Sequence, residues 1–155
     1  MKFKYTVLSF IIGRGYETLH EIQHPQDDVE YLMVTDDPEL KSSTWRVVYD
    51  EDLLKLKTGF ERCFAVRYNV FKYCSTDICN TIDGSMEVSG SLDALVEKFN
   101  SGNYDICLMP HPLWADFISE YQAWIKMRSY PVEQAQRFFK FLESARYDLR
   151  YQGLF

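Results

Sequence analysis

The sequence is poor in the residues that build metal centres and disulfide frameworks. It has three histidines and four cysteines among 155 residues. The cysteines form no C-x-x-C pair and the histidines lack the H-E-x-x-H spacing, so we expect no zinc site. The cysteines are predicted to be reduced, mostly buried side chains of a cytoplasmic protein.

Long apolar runs are also missing. The largely apolar run Tyr5–Ile12 has eight residues and ends at Gly13-Arg14-Gly15. A membrane-spanning helix needs roughly 18 apolar residues, so the sequence predicts no membrane span. The run also lacks the small-residue cleavage site of a signal peptide, and we expect a buried first strand instead.

The composition is that of a folded domain. Apolar residues make up 46% of the chain and aromatic residues 16%, which excludes a disordered chain. The length predicts a single domain over residues 1–155. With 17 basic and 23 acidic residues, the net charge of -6 disfavours nucleic acid or an anionic membrane surface as a partner.

The charge is distributed unevenly along the chain. Residues 17–54 contain eleven acids and two bases, whereas residues 55–72 contain five bases and one acid. The basic segment suits a compact anion such as a diphosphate. The alternative is an ordinary solvated helix face.

Strand-like and helix-like segments alternate, which predicts an α/β fold with a mostly parallel sheet. We expect helices over 59–74, over 91–100 and from Pro131 onward, and a short extended piece at Met86–Val88. The predicted strands are Tyr5–Ile12, Glu30–Thr35, Trp45–Tyr49, Asp77–Ile82 and Tyr104–Met109.

Polar motifs follow four of these strands. Ligands of parallel sheets bind at the carboxyl ends of strands, so we expect the motifs to meet at one edge. They are Gly13-Arg14-Gly15, Asp36-Asp37, Asp83-Gly84-Ser85 and His111.

The third motif is the most informative one. In an extended segment, Asp83 and Ser85 would project to the same side, where their oxygens could hold Mg²⁺ or Mn²⁺ on a diphosphate. Gly84 would let a phosphate approach the backbone. The alternative is an Asp-Gly turn without a ligand.

The other motifs allow similar pairs of interpretations. Asp36 and Asp37 could accept hydrogen bonds from a ribose or a nucleobase, or form a plain turn. Gly13-Arg14-Gly15 could wrap a base or a phosphate, but it is not a complete G-x-G-x-x-G. His111 could contact a phosphate or sugar, or be a loop histidine without a role.

Taken in order, the motifs resemble those of a glycosyltransferase-like family, formerly a domain of unknown function, that is related to sugar-nucleotide transferases of the GT-A fold. The resemblance covers about residues 6 to 122. It is carried by Gly13-x-Gly15-Tyr16-Glu17, Val34-Thr35-Asp36-Asp37-Pro38-Glu39-Leu40-Lys41 with Trp45, Thr76-Asp77 through Ile82-Asp83-Gly84-Ser85 with Ser91-Leu92, and Asp105-Ile106 with His111-Pro112.

The resemblance implies a three-layer GT-A-like fold and a hexosyltransferase that uses a UDP-linked sugar donor. The acceptor would be a glycan or a protein. Asp83 and Ser85 would hold Mn²⁺ or Mg²⁺. Independently of the resemblance, we expect Asp116 or Glu120 to act as the acceptor base because they follow His111 in the chain. The implied donor-binding residues are Gly13, Arg14, Asp36, Asp37, Arg62, Arg67 and His111.

Longer members of the family continue beyond the point that corresponds to Phe155. The resemblance therefore implies a domain that is short at its carboxyl terminus, as a truncated piece or as a short variant. Two other classes of function stay open. One is a module that binds a sugar nucleotide or glycan without catalysis. The other is a protein-interaction domain that uses Tyr147, Tyr151 and Phe155.

The metal role of Asp83 can be tested directly. If Asp83 holds the cation, Asp83→Ala should abolish donor binding while the protein stays folded. Calorimetric titration of a UDP-sugar measures the binding, and unchanged donor affinity would exclude this role.

Overall fold

A computed structural model of the chain describes residues 2–15, 18–102, 104, 133, 136, 137, 140 and 144. The chain divides into two compact units, Met1–Ser101 and Gly102–Phe155. In the second unit, Glu133, Arg137 and Lys140 are helical and exposed, as expected for the predicted last helix. The single domain over 1–155 stays a prediction.

The first unit contains a four-stranded sheet in which all strands are parallel, as predicted. Its strands are β1 (Thr6–Ile11), β2 (Glu30–Thr35), β3 (Arg46–Tyr49) and β4 (Cys79–Thr81), in the spatial order β3-β2-β1-β4. Every residue of β1 and β2 is buried. Their nearly continuous apolar runs are typical of inner parallel strands that are covered on both faces.

The register leaves the carboxyl edge of the sheet uneven. β1 and β2 pair over their full length, from Thr6 opposite Glu30 to Ile11 opposite Thr35. The pairing of β1 with β4 ends where Leu8 lies opposite Thr81. Strand β1 therefore extends three residues, or about 10 Å, beyond its last paired position with β4.

Helix α1 (Gly59–Tyr68) begins with a capping box. The Thr58 hydroxyl accepts a hydrogen bond from the Glu61 N–H at 3.1 Å, and the Glu61 carboxylate accepts one from the Thr58 N–H at 3.0 Å. The helix ends at Asn69, where the backbone leaves the helical conformation and the side-chain amide donates to the Ala65 carbonyl at 2.7 Å. The helix predicted over 59–74 is therefore shorter, and a 3-10 turn at Val70–Lys72 follows it.

The two faces of the sheet carry separate parts of the core. Val66 of α1 packs with the even-numbered side chains of β1, including Leu8 and Phe10. Val96 of the second helix, α2 (Asp93–Ser101), packs on the other face with Val7. Helices on both faces of a parallel sheet define a three-layer α/β arrangement.

Helix α1 also has an exposed aromatic side. The rings of Phe60, Phe64 and Tyr68 follow one another at i, i+4 and i+8, with centroid separations of 4.4 and 5.5 Å. Phe60 and Tyr68 are exposed, whereas Val66 of the same helix is fully buried. Helix α1 is therefore buried at Val66, while a second apolar surface faces solvent.

A buried carboxylate joins the amino ends of the strands. Glu30 accepts hydrogen bonds from the Thr6 hydroxyl at 2.7 Å, from the Ser75 N–H at 2.8 Å and from Arg46 at 2.8 Å. Burial acts to raise the pKa of Glu30, but these donors outweigh it and hold the pKa below its ordinary value. The carboxylate thus connects β1, β2, β3 and the segment before β4 while it stays charged.

No helix within the described part of the chain is long and apolar enough to cross a membrane.

Glu21 joins the connection after β1 to the connection after β2 through hydrogen bonds. Its carboxylate accepts hydrogen bonds from the Ser42 hydroxyl at 2.6 Å, from the Ser43 N–H at 3.0 Å, and from the Thr44 N–H and hydroxyl at 3.1 and 2.5 Å. Desolvation acts to raise the pKa of Glu21, but these four bonds lower it to about 2. The connection that follows β1 is thereby held against the one that follows β2.

We predict that Glu21→Gln destabilises the protein at neutral pH and has little effect near pH 2. The charged carboxylate contributes stability above its ordinary pKa of 4.5, and this contribution disappears as the pH falls toward about 2. Urea unfolding of both proteins between pH 2 and pH 7 measures the difference. Glu97→Gln, at an exposed position of α2, is the control. A constant difference across this pH range would contradict the prediction.

Candidate functional site

The candidate site lies at the carboxyl edge of the sheet, between β1 and β4. The chain places β2 and β3 on one side of β1 and then crosses over to place β4 on the other side. In open parallel sheets, the crevice outside the strand ends at such a reversal is the usual ligand site. The segments that follow β1 and β4 therefore flank the position where a ligand is expected.

The segment after β1 is a turn that requires glycine. Gly13 and Gly15 have φ angles of 83° and 74°, in the left-handed region that other residues rarely adopt. A Cβ atom built on either glycine would meet nothing within 4 Å. The backbone of this turn is therefore open on the side where a side chain would project, as expected for a loop that a ligand approaches closely.

Asp36, which follows β2, is fixed by two partners. One carboxylate oxygen accepts a hydrogen bond from the Gly13 N–H at 2.8 Å, and the other pairs with Arg62 at 2.7 Å. The side chains of Asp36 and Arg62 are only 4% and 21% exposed. Arg62 also donates to the Leu56 carbonyl at 3.1 and 3.3 Å. These residues hold the glycine turn and α1 in place, and their direct contact with a donor stays a prediction.

Asp37 makes a similar pair whose arginine, Arg14, is 69% exposed. Its carboxylate binds Arg14 of the glycine turn at 2.9 Å and accepts the Glu39 N–H at 3.0 Å. The second bond closes an Asx turn, and the donor-binding role of Asp36 and Asp37 stays a prediction. The two aspartates together connect the segment after β2 to the segment after β1.

Asp83, which follows β4, pairs with Arg67 of α1. The two side chains are 43% and 46% exposed, and the Arg67 guanidinium also lies 5.3 Å from the ring centre of Phe10 in β1. The Ile82 N–H donates to the Leu8 carbonyl at 2.9 Å, which places Asp83 directly beyond the paired part of β4. The pair therefore bridges the strands at the point where the strand order reverses.

The residues around Asp83 do not fit a divalent cation. The Met86 N–H donates to the Asp83 carbonyl at 2.9 Å, so residues 83–86 form a turn, and the extended geometry that would align Asp83 with Ser85 is not found. Residues Met86–Val88 form no strand. Across the described residues, no three His, Cys, Asp or Glu side chains are grouped to hold a metal ion. The Asp83 carboxylate is instead neutralised by a guanidinium.

Asp50 is a third acidic residue at a strand end, and the sequence did not identify it as part of the site. Asp50 follows β3 and accepts hydrogen bonds from Lys72 at 2.6 Å and from the Tyr73 hydroxyl at 2.7 Å. Burial acts to raise the pKa of Asp50, but both bonds hold it below its ordinary value. The pKa of Tyr73 is raised, mainly by burial and to a smaller extent by its hydrogen bond to Asp50. The sequence feature that could have identified Asp50 is its place directly after the third predicted strand, like that of Asp36 and Asp83 after theirs.

The predicted basic segment is largely neutralised. Four of its five bases pair with aspartates, and three of those aspartates come from the acidic stretch 17–54. The pairs are Lys55 with Asp52, Arg62 with Asp36, Arg67 with Asp83 and Lys72 with Asp50. The two charge blocks of the sequence thus face each other, and the pair at β4 is the one that lies at the candidate crevice.

Three of the predicted site residues, His111, Asp116 and Glu120, lie outside the described residues. Their predicted roles in donor binding and as acceptor base stay predictions. Comparisons with protein-family models, curated proteins and solved structures find no match for this chain. Its function is therefore argued from the site itself.

We predict that Asp36→Ala lowers the free energy of unfolding by about 3–5 kcal/mol, because it leaves the largely buried Arg62 without its counter-ion. Asp37→Ala, which breaks the neighbouring exposed pair, should cost about 1 kcal/mol or less. Urea unfolding of the two variants gives a matched comparison. Equal losses would contradict the structural role assigned to Asp36.

Proposed function

We propose that the chain binds a UDP-linked sugar at the carboxyl edge between β1 and β4 and transfers the sugar to a glycan or protein acceptor, as a hexosyltransferase of the GT-A type. The observation that carries the proposal is the Arg67 guanidinium, which lies at the reversal of the strand order. An anion at this edge would meet the Arg67 guanidinium beside β4, and the open glycine turn follows the neighbouring strand β1.

The strand order supports a nucleotide as the ligand. The order 3-2-1-4 is the first part of the 3-2-1-4-5-6 order of doubly wound nucleotide-binding sheets, whose ligand crosses the strand ends between strands 1 and 4. The same four strands lie here around the same reversal. The GT-A assignment goes further than this likeness and is supported by the motif resemblance.

The chemistry of the edge supports a diphosphate. A planar guanidinium matches two phosphate oxygens with parallel hydrogen bonds. The glycine turn has room for close approach, because neither Gly13 nor Gly15 has a neighbour where its Cβ would lie. In this proposal, the exposed Arg14 of the same turn exchanges its partner Asp37 for the diphosphate and serves as a second cation.

Transfer would follow from stabilising the leaving group. Negative charge develops on the diphosphate as the bond to the sugar breaks, and a fixed cation at that point lowers the barrier. In this proposal, Arg67 stabilises the diphosphate and the glycine turn orients it. Asp116 or Glu120 would accept the proton of the acceptor hydroxyl.

A module that binds the sugar nucleotide without transfer is the second candidate. It is favoured by the pairing of Asp83 with Arg67, because this pair engages the acid to which the resemblance assigns the metal. Release of UDP from a UDP-sugar, with or without an acceptor, separates the two candidates. Turnover by the purified chain would exclude the non-catalytic module.

We predict that UDP binds with micromolar affinity, more tightly than UMP and far more tightly than uridine, because the diphosphate makes the charged contacts. Calorimetry measures the three affinities. Amide NMR shifts on addition of UDP should change at Gly13, Gly15 and Asp83, and stay constant at Ser75 and Thr76 near the amino ends of the strands. No binding at millimolar UDP, or shifts centred on Thr76, would contradict the proposal.

A further inference from the structure

We infer that this site takes the diphosphate without a divalent cation: Arg67 supplies the positive charge, and Asp83 holds Arg67 in place and competes with the ligand for it. The inference rests on the proposed function for the identity of the nucleotide. The motif resemblance implies that Asp83 is a metal ligand. In this inference Asp83 instead competes with the diphosphate for Arg67.

The first step is the donor set around Asp83. A dication that binds a carboxylate directly lies about 2–2.6 Å from its oxygen. Asp83 already contacts the Arg67 guanidinium, so a dication there would lie against another positive charge at close range. Within the described residues, no three His, Cys, Asp or Glu side chains are grouped to offset this repulsion.

The second step is that Arg67 is held in position. It follows Val66, which is fully buried in the core beneath α1. Its guanidinium lies 5.3 Å from the Phe10 ring centre, within the range of a cation–π contact. Two contacts, with Phe10 and with Asp83, therefore hold the guanidinium between β1 and β4 before a ligand arrives.

The third step is that Arg67 can be released to a ligand. Nearly half of each side chain of the Arg67–Asp83 pair is exposed, so water and salt weaken the pair. A diphosphate carries more charge than one carboxylate and offers the same paired-oxygen geometry. The contrast is with Arg62, whose guanidinium also binds the Leu56 carbonyl and whose aspartate is buried.

These steps predict opposite signs for the two assignments of Asp83. If Asp83 competes for Arg67, Asp83→Asn should tighten the binding of an anion. If Asp83 holds a cation, the same substitution should weaken it. The sign of the change therefore distinguishes the assignments without knowledge of the sugar.

The experiment titrates pyrophosphate and UDP separately into the full chain, in EDTA and then in Mn²⁺. We expect Mn²⁺ to strengthen neither affinity, because the cation also binds the diphosphates in free solution and lowers their charge. Arg67→Gln should weaken both by at least about tenfold, as expected for the loss of a charge-assisted contact. Asp83→Asn should tighten both by about two- to fivefold, since the exposed pair that it removes is weak.

Two control variants make the same changes in charge as Arg67→Gln and Asp83→Asn, but at positions away from the crevice. Lys98→Gln in α2 removes one positive charge, as Arg67→Gln does, and Asp77→Asn before β4 removes one negative charge, as Asp83→Asn does. Both should leave the affinities within about twofold if contact, rather than net charge, determines binding. Circular dichroism and urea unfolding establish that each variant is folded, and Arg67→Lys, which keeps the charge, should retain part of the binding.

The outcomes separate the inference from the proposed function. UDP binding that requires Mn²⁺ and is lost in Asp83→Asn would overturn the inference and leave the proposed function intact. Metal-independent pyrophosphate binding that depends on Arg67, with UDP no tighter than pyrophosphate, would support the inference and overturn the nucleotide proposal. If neither anion binds, both are wrong.

Discussion

The ion pairs between the acidic strand ends and the segment that carries α1 are the interactions on which the rest of this structure depends. Strands β2, β3 and β4 are each followed by an aspartate, and each aspartate pairs with a different base from the α1 segment. Three carboxylates at one edge of a sheet would repel one another without counter-charges. Their neutralisation therefore accompanies the packing of α1 on the sheet.

The pairs differ in burial, and this difference separates structure from function. The Asp36–Arg62 pair is largely buried, and Asp36 also accepts the Gly13 N–H, so this pair determines where the glycine turn lies. Breaking a buried pair leaves an uncompensated charge, whereas breaking an exposed pair costs little. The Arg67–Asp83 pair is more exposed than the Asp36–Arg62 pair, and it lies where the strand order reverses.

Much of the fold could be predicted from the sequence. The bounds of β2 are those predicted and β1 lies within its predicted segment, because inner parallel strands are continuous apolar runs that end at turn residues. The edge strands β3 and β4 also lie within their predicted segments. The end of α1 could not be predicted, since helical periodicity does not reveal that the backbone leaves the helical conformation at Asn69, whose side chain donates to the Ala65 carbonyl.

The site could be predicted only in part. The positions of the acids and glycines after the strands were visible, but the choice of partners was not. Arg67 pairs with Asp83, sixteen residues away, because β4 lies next to β1, and the order of strands is not encoded in any local pattern. A motif such as Asp83-Gly84-Ser85 shows which chemical groups are present. Whether the Asp83 charge is free or paired depends on residues that the strand order brings next to it.

The strand order also has a consequence for the growing chain. Strand β1 precedes the other three strands in the chain, yet one of its two neighbours, β4, follows about seventy residues later. Until β4 pairs, the apolar β1 presents an open edge of unpaired backbone groups, which is a template for association with other chains. A ribosome-bound or prematurely ended chain that stops before Cys79 would keep this edge open, so completion of the sheet protects the protein from aggregation as well as forming the crevice.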